Sequence, residues 1–225
     1  MKPEEKILHL AAGNERVMRL LPVFNVSIEQ VGCTGSLLCG LENESSDIDM
    51  VVYGSAWFTA QENLQKAVEK GEVSGLSEEM WQKVYRKRVP EIDYETFLAH
   101  EKRKWNRGGE IDGTYFDLLY TRSYELLGSA GIVKGGKVCG KMTIEATVTD
   151  ASLAFDNPAV YSVDHEEISK VLSFTHTYSG QARKGEVIEA TGVVEEHGDT
   201  KWLIVGTTRE AKGESIVSKT LMESL

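Results

Sequence analysis

The chain has 225 residues, 41% of them hydrophobic and 27% charged, and 25 Lys and Arg stand against 35 Asp and Glu for a net charge of −10. These proportions suit an ordered globular chain and argue against a general binder of nucleic acid, long duplex DNA above all, because phosphate contacts need clustered Lys and Arg. No apolar run approaches the ~20 residues of a bilayer span. The charged opening Met1-Lys2-Pro3-Glu4-Glu5-Lys6 has no apolar signal core, so a cytoplasmic protein without membrane attachment is expected.

In chain order, residues 15–21 read as a short helix and 28–34 as a strand. Residues 47–53, Asp-Ile-Asp-Met-Val-Val-Tyr, read as a second strand. Ser55 is a candidate N-cap for a helix to Lys70 that Gly71 ends. Ser77 caps an expected helix to Arg88, stopped by Pro90. Asp93 caps another through Trp105, stopped by Gly108-Gly109. Residues 114–120, Thr-Tyr-Phe-Asp-Leu-Leu-Tyr, return to a strand. After a small-residue stretch at 127–131 the composition changes to short runs rich in Val, Ile, Thr and Tyr. Strands are expected at 144–149, 161–163, 171–178, 186–195 and 201–207, with Glu196-His197-Gly198-Asp199-Thr200 as a hairpin turn. The expected architecture is an α/β (α+β) domain with a mixed sheet over residues 1–128, followed by a small, mostly β domain over 129–225. An OB-like barrel is one candidate for the latter.

The stretch richest in chemistry is Gly32-Cys33-Thr34-Gly35-Ser36, then ten residues, then Asp47-Ile48-Asp49. A Gly-Ser turn after a strand can present backbone N–H groups to a phosphate oxygen. Gly35 allows the close approach, the Ser36 hydroxyl adds a donor, and a helix near 37–41 would aim its N-terminus at the same anion. Asp47 and Asp49 at i and i+2 project from one strand face, about 6.6 Å apart along it. Carboxylates that close repel each other unless a cation intervenes. All-oxygen donors point to Mg²⁺ or Mn²⁺ rather than zinc. Asp117 lies within an apolar strand, where a charge is costly without a partner; a neighbouring strand could bring it to the same ions.

Together, Thr34-Gly35-Ser36, Ser46-Asp47-Ile48-Asp49-Met50 and Phe116-Asp117-Leu118 resemble the signature of the polymerase β-type nucleotidyltransferase superfamily. The fuller string Thr-Gly-Ser-Leu-Leu-Cys-Gly-Leu with Ser-Asp-Ile-Asp-Met-Val-Val-Tyr-Gly looks like that of a group of archaeal predicted nucleotidyltransferases. The resemblance covers about residues 29–120. It implies an enzyme that moves a nucleoside monophosphate from an NTP to an acceptor hydroxyl and releases pyrophosphate. Ser36 and the adjacent backbone would hold the triphosphate. Asp47 and Asp49 would bind both metal ions, while Asp117 would bind one and activate the acceptor. The acceptor's identity is open: a small molecule, a protein or an RNA end. Two alternatives stand beside this reading, a non-catalytic nucleotide-binding module and an RNA-binding protein acting through the β domain.

Residues 81–107 carry a net +4 in an acidic chain. On the helix from Asp93, Tyr94, Leu98 and Trp105 form the expected buried stripe. His100, Lys104 and Arg107 form a cationic stripe on another face, with Lys104 and Arg107 as candidate triphosphate ligands. The five histidines lack metal-ligand spacing and read as structural or surface residues. Cys33, Cys39 and Cys139 form no CxxC pair and read as buried or idle reduced thiols. In the β half, Phe155, Tyr161, Phe174, Tyr178 and Trp202 are candidates either for base stacking or for the core.

Overall fold

The computed structural model describes residues 3–10, 12–43, 46–111, 114–123, 135–208 and 211–225, and the chain is a mixed α/β protein with two sheets. The described residues fall into two compact units. The first runs to Met80 and resumes at Trp105; the second takes Trp81–Lys104 and the described residues from 135 onward. The boundary expected at 128/129 lies outside the described residues. Residues 81–104, expected in the first domain, group instead with the later strands, for reasons that lie in their buried polar side chains.

In the first unit the order is α1 (Pro3–Leu10), α2 (Glu15–Phe24), β1 (Val31–Cys33), α3 (Gly35–Cys39), β2 (Ile48–Tyr53) and α4 (Ala56–Glu69). The chain returns to this unit with β3 (Arg107–Ile111) and β4 (Thr114–Thr121). Asn14 caps α2 by accepting from the Val17 N–H, and Asn25 ends it in the left-handed region at φ 48°. The helix, expected to end at residue 21, runs past Pro22 to Phe24, which is fully buried with its ring edge-on to Phe116 at 5.8 Å. The sheet order is β1-β2-β4-β3, with β2 and β4 parallel and both outer pairs antiparallel. Ile48, Met50, Val52, Phe116 and Leu118 are buried on one face. Trp57 of α4 packs on that side and donates its indole N–H to the Leu118 carbonyl at 3.1 Å.

Gly108-Gly109, expected to stop a helix, are strand residues instead. Gly108 pairs with Phe116, and a Cβ on it would overlap the Phe116 ring; a Cβ on Gly109 would meet the Ser74 carbonyl 1.8 Å away. Glycine here reflects crowding on both faces of β3, not a break in the chain.

The second unit contains α5 (Glu78–Arg88, which begins before the division), α6 (Tyr94–Arg103), β5 (Lys137–Leu153), β6 (Ala159–Asp164), β7 (Ile168–Ser173), β8 (Val187–His197), β9 (Thr200–Val205), β10 (Ser215–Ser218) and α7 (Lys219–Met222). Five strands close in a ring. The long β5 pairs with β8 along residues 137–147 and with β6 along 147–153, bent by register shifts between Val148 and Leu153. β6 pairs with β7, β7 runs parallel to β9, and β9 returns to β8. β10 adds to β8 at residues 188–191. Ile144, Ala146, Val148, Tyr161, Val171, Ile188, Ala190 and Leu203 fill the interior. The hairpin expected at 196–200 is present, with Gly198 at φ 64° between β8 and β9. β5 starts seven residues before the expected strand because residues 137–143 are almost wholly exposed. Such a segment has no apolar alternation to read; its pairing with β8 defines it.

Candidate active site

The site residues of the first unit are set by strand parity. β2 and β4 are parallel with Asp49 opposite Asp117. Their even-numbered neighbours Ile48, Met50, Phe116 and Leu118 face the core, so Asp49, Asp117 and Tyr115 share the opposite face. Asp47 directly precedes β2, and its Oδ2 accepts a hydrogen bond from the Tyr115 hydroxyl at 2.9 Å. Asp117 is paired with Arg107, its register partner across β3 and β4: Nε donates to Oδ1 in an ion pair whose side chains are only 3% and 13% exposed. The Arg107 guanidinium carbon lies 5.8 Å from the centroid of the Tyr115 ring. Burial, with the Asp117 and Asp47 carboxylates beside it, pushes the Tyr115 phenol well above its usual range, so it acts as a hydrogen-bond donor at neutral pH.

Gly35 completes this face. It opens α3 at φ 63°, and a Cβ there would lie 2.1 Å from Asp49 Oδ2. The Asp49 carboxylate thus rests against the Gly35 backbone, and the Thr34 N–H donates to the Asp49 carbonyl at 3.0 Å. Glycine is required twice over, for its backbone angle and for its missing side chain. Ser36 follows in the first turn of α3, half-buried. Gly35, Asp47, Asp49, Asp117 and Arg107 are therefore brought together in one unit, and Tyr115 joins them. Sequence reading passed over Tyr115, although its position two residues before Asp117 on a strand signalled the shared face.

An uncharacterized protein of Methanocaldococcus jannaschii, MJ1086, is 43% identical to this chain over 211 residues, which is 89% of this chain and 62% of that protein. The chain thus spans less than two thirds of that relative's length. No family model matches the sequence, and no solved structure matches it.

The donor chemistry on this face suits a hard divalent cation, with carboxylate oxygens from neighbouring strands and neither sulfur nor imidazole among them. Among the described residues no three His, Cys, Asp or Glu side chains converge as a group that could hold an ion. Asp117 is engaged by Arg107 and Asp47 by Tyr115.

The cationic stripe requires correction. α6 ends at Arg103, so Arg107 lies on a strand and not on that helix. The buried face of α6 is formed by Phe97, His100 and Glu101, with Lys104 just beyond; Tyr94, Leu98 and Trp105 are half-exposed. Lys104 lies in the second unit, 2% exposed, with Nζ 2.5 Å from Glu101 Oε1 and donating to the Thr177 carbonyl at 2.8 Å. It is a core residue there, and its charge is spent on Glu101 rather than held out for a triphosphate. Arg88 approaches the same Glu101 at 3.5 Å. Arg103 makes a two-pronged pair with Glu186, which also accepts from Ser218 Oγ. These bonds are why residues 81–104 belong with the barrel.

The other candidates resolve plainly. Tyr161 and Tyr178 are core residues, and the Trp202 ring is stacked on His197 at 3.7 Å, with Lys170 Nζ 5.3 Å from its centroid. Phe155 packs against the core, and Phe174 is 46% exposed. The three cysteines are free; burial pushes the Cys33 thiol up to about 11, so it stays protonated and unreactive. No helix among the described residues is long and apolar enough to cross a membrane.

Proposed function

We propose that the first unit is a divalent-cation-dependent nucleotidyltransferase of the polymerase β type, which moves a nucleoside monophosphate from an NTP to an acceptor hydroxyl and releases pyrophosphate. The observation that carries the reading is the parallel register of Asp49 and Asp117, with Gly35 seated on the Asp49 carboxylate. Two adjacent carboxylates on one strand face repel each other and call for positive charge beside them. Asp47, Asp49 and Asp117 would hold Mg²⁺ or Mn²⁺, which would neutralise the triphosphate and lower the pKa of the attacking hydroxyl. The chain's own contribution is orientation. Ser36 and the Gly35 backbone bind phosphate oxygens, Tyr115 fixes the Asp47 carboxylate, and Asp117 lies beside Asp49 to receive the acceptor's proton.

We read the second unit as an OB-like barrel on the basis of its five-strand ring and the parallel β7–β9 pair. The RNA-binding alternative has less support. Tyr161 and Tyr178 are buried and the Trp202 ring is already stacked on His197, which leaves Phe174 as the exposed ring for a base. The acceptor class stays a small molecule, a protein or an RNA end, in a cytoplasmic setting.

The test is labelled-nucleotide transfer and pyrophosphate release with Mg²⁺ or Mn²⁺, using a mixed pool of RNA, proteins and hydroxylated metabolites. Wild type is compared with Asp47→Ala/Asp49→Ala. Metal-dependent transfer lost in the double variant is the expected result, and the labelled product names the acceptor. Absence of metal-dependent NTP binding overturns the reading.

A further inference from the structure

We infer that Arg107 and the divalent cation compete for Asp117, so that loading the ion releases the Arg107 guanidinium to the phosphates of the nucleotide. This rests on the proposed nucleotidyltransferase site and adds a coupling between its two ligands. Three carboxylates on one sheet face need positive charge, and Arg107 supplies it from within the fold: its Nε is on Asp117, and its guanidinium lies near the ring of Tyr115, whose hydroxyl is on Asp47. A guanidinium cannot shed its proton to make room for a second cation. With Arg107 3% and Asp117 13% exposed, water screens the repulsion between guanidinium and metal poorly. A cation that takes Asp117 Oδ1 therefore displaces the arginine from that oxygen.

The released side chain suits the second ligand. Its planar fork matches phosphate oxygens as well as it matches a carboxylate. It starts from β3, whose register partner is the strand carrying Asp117, so a change of rotamer keeps it at the same face. Arg107 thus serves as a placeholder for the ion in the metal-free protein and as a phosphate ligand in the loaded one. It is a positioning residue for metal entry and a binding residue for the nucleotide.

The experiment uses the full chain and reads binding rather than turnover. Mn²⁺ affinity without nucleotide is measured by electron paramagnetic resonance for wild type, Arg107→Gln, Arg107→Lys and Asp47→Ala/Asp49→Ala. Arg107→Gln is expected to bind Mn²⁺ about tenfold more tightly than wild type and, at saturating Mn²⁺, to bind ATP about tenfold more weakly, an ordinary size for such coupling. Arg107→Lys keeps the charge and is expected to keep Mn²⁺ binding near the wild-type level. A second measurement needs no folded glutamine variant. In wild type, the Arg107 Nε–H resonance, held by Asp117, should lose its exchange protection as Mg²⁺ is added. Unchanged or weaker Mn²⁺ binding in Arg107→Gln, or an Nε–H signal unmoved at saturating Mg²⁺, overturns the competition. Mn²⁺ binding that survives Asp47→Ala/Asp49→Ala overturns the site itself, a distinct outcome.

Discussion

Acidification should loosen the second unit through one histidine. His100 is 1% exposed. Its Nδ1 lies 2.7 Å from the Thr96 carbonyl and its Nε2 2.9 Å from the Ser218 N–H. A carbonyl only accepts and an amide N–H only donates, so the ring is the neutral tautomer with its proton on Nδ1. A second proton on Nε2 would face the Ser218 N–H and destroy that bond. Burial, reinforced by the Lys104 and Arg103 charges, pulls the imidazole from an ordinary 6.5 down to about 4. The unfolded chain therefore takes up a proton below 6.5 that the folded chain refuses until about 4, and stability falls with falling pH across that window. At about 1.4 kcal/mol per unit, the loss is about 2 kcal/mol by pH 5. Urea unfolding at pH 7 and pH 5, wild type against His100→Gln, isolates the contribution, since the other titrating groups cancel in the difference. Amide exchange at Ser218 reports it locally. Equal pH slopes in the two proteins, or an imidazole that titrates near 6.5 by NMR, would refute the reasoning.

Other substitutions test other parts. Gly35→Ala should cost about 1–2 kcal/mol for the left-handed backbone and, by driving the Asp49 carboxylate aside, abolish Mn²⁺ binding while circular dichroism stays native. Glu101→Ala strands the Lys104 ammonium and should cost about 3–5 kcal/mol in urea unfolding. Lys104→Met should cost less, because Glu101 keeps Arg88 at 3.5 Å, and it should leave ATP affinity unchanged. Tyr161→Phe removes a hydroxyl that donates to the Tyr178 carbonyl at 2.7 Å and accepts from the Gln181 N–H at 2.8 Å. Its thermal midpoint should drop by an amount that corresponds to about 1–3 kcal/mol.

The carboxylate face was legible in the sequence because two periodicities meet there. The i, i+2 spacing pointed Asp47 and Asp49 to one side, although β2 begins at Ile48 and Asp47 directly precedes it, and an aspartate amid apolar residues marked Asp117 as partnered. The partner itself was not legible. Arg107 was read on a helix because Lys104 and Arg107 continue the spacing of α6, yet the helix ends at Arg103 and Arg107 opens β3. Helical periodicity also inverted α6. His100 and Lys104 read as part of a cationic stripe, while their burial depends on Glu101 nearby and on Thr177 and Ser218, more than seventy positions away. The hairpin at Gly198 carries its signal locally and was found. β10 has four residues and no pattern of its own beyond its pairing with β8.

The assignment of residues 81–104 to the second unit, between two stretches of the first, sets the order in which the chain can be completed. During synthesis β1 and β2 emerge before α5 and α6, but β4, the strand that seats Asp117 beside Asp49, emerges only after both helices. The helices in turn wait for β8 and β10, which carry Glu186's neighbours and Ser218. No single cut therefore yields either unit by itself. A fragment that stops before β5 keeps the whole carboxylate face yet carries α5 and α6 without Thr177, Glu186 and Ser218, the partners of Lys104, Arg103 and His100.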